Sequence, residues 1–278
     1  MCLPGTVETV REEREREGTP RVDRRTLLAG GAAAALAAAF PTAASAVRPP
    51  KKRFADLTHT FTEGFPVFVT GTEPERETIA DYATSGFYAQ RWTFGEHSGT
   101  HMDAPGHFDE GGRLSPDITP QELILPIVVV DISARAAGDP DTMLLPDDLR
   151  RFERRHGRIP RGALVAMNSG WAVKVDDPLA FKGGVSFPNY HFPGFSLEAA
   201  MWLVEERGVT AIGVDTLSLD PGNSSTFPVH VNYLATDRYG LENLANLDGI
   251  PPRGALAYVG LIPWEEGSGG PCRVIANW

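Results

Sequence analysis

Cysteine is almost missing from this chain. Cys2 and Cys272 are its two cysteines in 278 residues, too few for a zinc finger, an iron–sulfur cluster or a disulfide framework. Positive charge is scarce as well. Lys and Arg number 26 against 36 Asp and Glu, a net charge of −10. A nucleic-acid partner is therefore not expected, because a phosphate backbone attracts a clustered basic surface. No apolar run approaches the ~20 residues that span a bilayer, so stable membrane insertion is not expected either. Apolar residues, by contrast, make up 42% of the chain, enough to bury a core. The 29 glycines and 23 prolines imply many loops, and there are seven histidines. Such a chain fits an enzyme or a binding domain acting on a small molecule, in one or two domains.

Residues 1–46 read as an address. Arg24-Arg25 precede an Ala/Gly-rich apolar run to Phe40, and Ala44-Ser45-Ala46 follows. A charged region, a short apolar region and a small-residue cleavage site in that order are the marks of a secretory signal. The paired arginines point to twin-arginine export, to a periplasmic or extracellular location. The alternative is an Ala-rich helix, against which Gly30, Gly31 and the A-x-A ending count. Cleavage after Ala46 would remove six Arg and six acidic residues, leaving the net charge unchanged, and would remove Cys2. Residues 47–53 read as a Pro/Lys/Arg linker, and 54–278 as the folded domain.

Within that domain, short β-branched runs alternate with helical patterns. Ile127 to Val130, Leu164 to Met167, Thr210 to Val214 and Ala255 to Ile262 read as strands buried on both faces. Ser196 to Glu206 reads as a helix, with Ser196 as its cap and Gly208 as its stop. A second helix is expected over Pro146 to His156, with Leu149 and Phe152 on its apolar side. Thr119-Pro120-Gln121-Glu122 has capping-box spacing and predicts the start of a short helix. The Pro188 to Phe195 stretch reads as a loop. The fold class is mixed α/β.

Three of the histidines fall within eleven residues, in His97-Ser-Gly-Thr-His101-Met-Asp103-Ala-Pro-Gly-His107. Gly99, Pro105 and Gly106 disfavour a helix through this motif. In an extended chain the side chains alternate, so His97, Gly99, His101 and Asp103 share a face. Two imidazoles and a carboxylate on one face suit a borderline divalent ion such as Zn²⁺ or Mn²⁺. One mature cysteine leaves His, Asp and Glu to hold it. The plain alternative is that these histidines are ordinary core or surface residues.

The run His97 to His107 fits the H-x-G-T-H-x-D-x-P-x-H signature, and here the chain resembles the cyclase family of metal-dependent hydrolases, which includes bacterial kynurenine formamidases and isatin hydrolases. The resemblance extends along the chain. Asp56-Leu57-Thr58-His59 resembles the family's opening strand, Asn168 to Trp171 its T-G-W segment, and Phe192 to Ser196 its P-G-L-S. Gly213 to Asp220 resembles its G-x-D-T-x-S-x-D strand, and His230 with Glu242 its late metal-binding pair. The resemblance implies a β-rich swivelling-domain (β/β/α) fold and a homodimer or homotetramer. It implies His97, His101 and Asp103 around a first metal ion, and Asp103, His230 and Glu242 around a second; some members use one ion, often manganese. It gives His107 the catalytic role. Phe68 stands where the formamidases carry a substrate-stacking Trp.

A divalent ion acidifies water and polarises a carbonyl, which supports the reaction the resemblance implies, hydrolysis of a C–N bond in a small aryl or cyclic amide. A neutral imidazole at His107 can shuttle the proton. Export through the twin-arginine route, which carries folded proteins, suits a protein loaded with metal beforehand. His59, Phe68 and His191 are further candidates to line the site. Asp215, Ser218 and Asp220 are candidates to orient ligands, or to pair only with backbone. The arginines at 150, 151, 154 and 155 read as a solvated helix face. Competing readings are a hydrolase or cyclase acting on a lactone or polyketide-type metabolite, a non-haem iron oxygenase, and a non-catalytic metal-binding protein.

Overall fold

The computed structural model describes residues 53–278. The expected export signal at 1–46 and all but the last residue of the expected linker lie outside them. The described strands are β1 (Phe54–Asp56), β2 (Glu75–Ala80), β3 (Ala89–Thr93), β4 (His101–Asp103), β5 (Ile124–Asp131), β6 (Met143–Leu144), β7 (Leu164–Asn168), β8 (Gly194–Phe195), β9 (Ala211–Val214), β10 (Tyr239–Glu242), β11 (Ala255–Leu261) and β12 (Gly269–Asn277). Residues 76–92 form a unit apart from residues 53–75 and 93–278, a distinction the sequence reading did not draw. In this smaller unit β2 pairs with β3. The one-turn helix between them is capped by the Asp81 carboxylate, which accepts from the Ala83 and Thr84 amides.

The larger unit is organised by one eight-stranded sheet in the order β1-β12-β11-β5-β7-β9-β10-β4. β4 pairs antiparallel with β10 and also with β12, so the sheet closes on itself. The four strands β5, β7, β9 and β10 run parallel. All four predicted strands are present, but only β5, β7 and β9 are buried on both faces, and the reason lies in their alternation. Ile127, Val129, Leu164, Ala166 and Ala211 join Met102, Leu241, Ala257 and Val274 in one core on the face that the whole closed sheet shares. Small residues recur there because a narrow closed sheet has little room inside. The odd-and-even partners Val128, Val130, Val165, Met167, Ile212 and Val214 point the other way, into a second core. β5, β7 and β9 are therefore apolar on both faces, as parallel strands covered on both sides must be, whereas β11, antiparallel to both neighbours, exposes Leu256 and Gly260 on its outer face, contrary to expectation.

Helices cover the second core. The helix Pro146–His156 has the predicted bounds and buries Leu149 and Phe152. The helix over Leu197–Trp202 begins at Ser196, whose hydroxyl accepts from the Ala199 amide, and passes into a π-helical turn at Leu203–Arg207. Gly208, at φ 60°, ends it. Burying Leu149, Phe152, Ala199, Ala200 and Leu203 here contributes about 1.5–3 kcal/mol for each large side chain.

Two local expectations are corrected. Thr119 to Leu123 forms a turn, not a helix. The capping-box chemistry is nonetheless real, since Glu122 accepts from the Thr119 amide at 3.0 Å and hydroxyl at 2.7 Å. The same carboxylate binds Arg113 at 2.8 Å, and β5 begins at Ile124 before a helical turn can propagate. The second correction concerns the motif itself. Only His101–Asp103 is strand, and Gly99 sits in the left-handed region at φ 71°. The chain bends there, and His97 approaches Asp103 across the bend.

Candidate metal centre and active site

Strand alternation sets the centre. Met102 points into the closed sheet, so His101 and Asp103 point to the opposite face. The antiparallel register with β10 places Glu242 directly across from His101, and His101 Nε2 lies 3.4 Å from Glu242 Oε2. His230 opens a π-helical turn and brings its Nε2 to 3.2 Å from Glu242 Oε1 and 3.5 Å from Asp103 Oδ2. His97 Nδ1 is 2.6 Å from Asp103 Oδ1. Gly99 makes that approach possible. A Cβ there would lie 2.5 Å from Phe61 Cδ2, and left-handed backbone is open to glycine at no steric cost.

The cluster is buried and its charges are held in an unusual way. Asp103 and Glu242 are 1% and 5% exposed, and among the described residues no Lys or Arg pairs with either. A buried carboxylate without a counter-charge is costly. The His101 and His230 imidazoles supply it in the metal-free protein. Burial opposes charge on His101, but Asp103 and Glu242 beside it raise its pKa to about 9. The same balance raises His230. Asp103 stays ionised against the cost of burial because His101, His230 and His97 surround it. Glu242 is pushed up by burial and by Asp103. Cys272 lies in the adjacent core with its thiol pushed up to about 12 by burial and by the Asp103 charge, so it offers no thiolate.

These residues fit a divalent ion on three observations. His101 Nε2 and Asp103 Oδ2 are buried without any hydrogen-bond partner, although buried polar atoms are nearly always paired. The ligand-capable atoms of His101, Asp103 and Glu242 lie within 4.8 Å of one another, as do those of His97, Asp103 and His107. The outward nitrogen of each inner imidazole is also occupied. His101 Nδ1 donates to the Gly99 carbonyl at 2.9 Å, and His230 Nδ1 donates to Asp220 Oδ2 at 2.7 Å. A His that donates from its far nitrogen presents its near nitrogen as a lone pair, the arrangement of metal-bound histidines. Asp220 also accepts from the Val229 and His230 amides, so it fixes both the ring and the turn that carries it.

His107 closes the one-turn helix Pro105–His107. Its ring stacks on His97, with centroids 3.7 Å apart and planes at 20°. Burial, and then the positive histidines around it, lower its pKa to about 4 despite Asp103. It is a neutral imidazole at pH 7, able to accept a proton, and it is also within ligand reach of His97 and Asp103.

The cluster forms the floor of a cavity of about 350 Å³ whose walls include Phe68, Phe108, Phe227, Val67 and Leu217. Phe227 holds its place at φ 47°, a costly conformation for a bulky residue that is typically kept at functional sites. Phe68 meets Phe227 and Tyr190 edge-on at 5.7 Å and 5.4 Å.

Residues 55–221 match the protein family described as “Putative cyclase”. An isatin hydrolase of Roseibium aggregatum is 35% identical over 71% of this chain and 78% of its own. The chain belongs to the cyclase family. A kynurenine formamidase of Erythrobacter litoralis is 28% identical over 81% of this chain and 94% of its own. Among solved structures, isatin hydrolase A from Ralstonia solanacearum superposes with a TM-score of 0.78 at 35% identity, over 87% of this chain and 99% of that one. The mixed α/β, strand-rich fold of the cyclase family is the one this chain adopts, and it is a metal-dependent hydrolase of that family.

The remaining predicted residues separate. His97, His101, Asp103, His107, His230 and Glu242 converge, and Phe68 and Ser218 line the same cavity. His59 does not line it. Its amide donates to Thr100 Oγ1 at 3.0 Å and its ring abuts Phe65. His191 is bound to Asp141 at 2.8 Å, away from the cavity walls. Asp215 accepts from the Ser169 amide and hydroxyl and from the Trp171 amide, so it shapes the Asn168 to Trp171 segment. Asp220 is the partner of His230. Sequence reasoning missed Phe108, Phe227, Glu96 and Ser268. Phe108 directly follows the motif and Glu96 directly precedes it, so both were within reach of it; the other two carry no local pattern.

Proposed function

We propose that this protein hydrolyses the C–N bond of a small, uncharged aryl amide, with a cyclic amide of the isatin type ahead of an arylformamide. The single observation that carries the reading is a His/Asp/Glu cluster with unpartnered buried ligand atoms at the floor of an aromatic cavity. Two features favour the cyclic amide. Among the described residues lining the cavity there is no Lys or Arg, so nothing there matches the carboxylate of an amino-acid substrate such as N-formylkynurenine. Phe68 also lacks the indole N–H of the formamidases' Trp. The greater identity to isatin hydrolase points the same way.

His97, His101 and Asp103 would hold a first divalent ion, Zn²⁺ or Mn²⁺, and Asp103, His230 and Glu242 a second. When bound, such an ion supplies Lewis acidity to the carbonyl and lowers the pKa of water from 15.7 to about 7. The rest falls to the chain. Phe68, Phe108 and Phe227 pack against the substrate ring and exclude water. His107 takes a proton from the attacking water and returns it to the leaving nitrogen. A pKa near 4 makes the protonated His107 a strong acid, which suits a poor leaving group. Export by the twin-arginine route and a homodimeric or homotetrameric assembly belong to the same reading, supported by the Arg24 to Ala46 pattern and by the family resemblance. Turnover of isatin, an arylformamide, N-formylkynurenine and a lactone by metal-loaded protein tests the proposal. Preference for N-formylkynurenine would overturn the substrate order.

A further inference from the structure

His101 and His230 each give their outward proton to a single acceptor, but His97 is served by a relay. Its Nε2 lies 2.9 Å from Ser268 Oγ. Ser268 Oγ lies 2.7 Å from Glu96 Oε2, and the Ser268 amide donates to the same oxygen at 2.9 Å. The proton count fixes the directions. An ionised carboxylate only accepts, so the one hydroxyl proton of Ser268 goes to Glu96. Ser268 Oγ must then accept from His97, which places the imidazole proton on Nε2. Nδ1, 2.6 Å from Asp103 Oδ1, is left as a lone pair. A lone pair and a carboxylate oxygen at that distance repel unless a cation lies between them. A proton or a metal ion meets that need.

The segment is built tightly around this contact. A Cβ on Gly269 would collide with the Met102 carbonyl and lie 2.7 Å from His97 Cε1. The Ala104 amide donates to the Ser268 carbonyl at 2.9 Å, and the Ser115 amide to the Gly267 carbonyl at 2.8 Å. Ser268 is thereby tied to the loop that follows the ligand strand β4.

We infer that Ser268 and Glu96 are positioning residues, which hold His97 in the Nε2–H tautomer and so present Nδ1 to the metal ion. The inference rests on the metal-centre reading given above. Loss of such outer partners typically costs ten- to a hundredfold in metal affinity. Glu96 acts only through Ser268, so the two effects should not add.

The test uses the full protein and its S268A, S268T, E96A and S268A/E96A variants. Zinc affinity is measured by competition with a chromophoric chelator, and the His97 tautomer by long-range ¹⁵N–¹H spectra of the zinc-loaded protein. The expected results are a ten- to hundredfold loss in S268A, near wild-type affinity in S268T, a smaller loss in E96A, and a double variant no weaker than S268A. Wild-type His97 should carry its proton on Nε2. Zinc affinity of S268A and E96A within threefold of wild type, or a proton on Nδ1, would overturn the inference and leave the metal centre standing. Should S268A fail to fold, S268T and E96A carry the decision. A wild-type protein that takes up no zinc or manganese would overturn the underlying reading itself.

Discussion

Replacing His107 with Ala separates two roles that its position allows. The ring lies within ligand reach of His97 and Asp103, yet its pKa near 4 makes it a neutral acceptor over the whole physiological range. General-base catalysis by a positioned side chain contributes about 10²–10⁴-fold. A base of pKa near 4 is less potent than an imidazole at 6.5. With a Brønsted coefficient of about 0.5, that difference removes roughly one decade of the benefit. The variant is therefore expected to lose about 10–10³-fold in kcat, equivalent to roughly 1–4 kcal/mol at 1.36 kcal/mol per decade. The metal content should stay at the wild-type level. Stopped-assay turnover and elemental analysis on one sample measure both quantities. A loss of metal in proportion to activity would make His107 a ligand. A loss of less than tenfold with metal retained would remove it from proton transfer altogether.

The other predictions concern how the ion is held. Asp220→Asn keeps the shape of the residue but replaces its charged acceptor for His230 Nδ1; affinity for zinc or manganese should fall about ten- to a hundredfold, and unchanged affinity in chelator competition would place Asp220 outside the centre. Metal binding should depend on pH with a definite sign. His101 and His230 are raised in the metal-free protein, so they are protonated at pH 7 and must release those protons to bind. Apparent affinity should rise by up to about tenfold per pH unit for each proton released, the His101 contribution levelling off at about pH 9; a flat profile between pH 6 and 8 by calorimetry would contradict this assignment of charge. Gly99→Ala forces a Cβ to within 2.5 Å of Phe61 Cδ2 at a φ of 71°. It should cost at least about 1–2 kcal/mol in stability and weaken metal binding as His97 moves; a melting temperature and metal affinity equal to wild type would show that the bend tolerates a side chain.

The site was legible in the sequence where its residues are close along the chain. His97, His101, Asp103 and His107 stand in one motif, and two alternating positions of β4 put His101 and Asp103 on one face. The buried strands were legible for a related reason, since a run such as Ile127 to Val130 feeds two cores and so loses its polar alternation. Family resemblance, not spacing, carried His230 and Glu242. They reach the motif through the register of β10 against β4 and through a turn anchored by Asp220, neither of which is a local property. The loop walls were less legible still. Phe227 depends on a strained backbone, and Ser268 meets Glu96 across 172 positions of the chain. At Gly99 the sequence suggested the right convergence by the wrong geometry, because a bend and not an extended strand brings His97 to Asp103. At Thr119 a genuine capping signal was overruled by Arg113, which recruits Glu122 as β5 begins.

The most direct measurement of the central claim is hydrolysis of isatin by protein of known metal content, before and after chelation and after zinc or manganese is restored. Ring-opening should rise in proportion to bound metal, be abolished by the chelator and recover on reloading. Full metal occupancy without hydrolysis of isatin or of any aryl amide in the panel would contradict it.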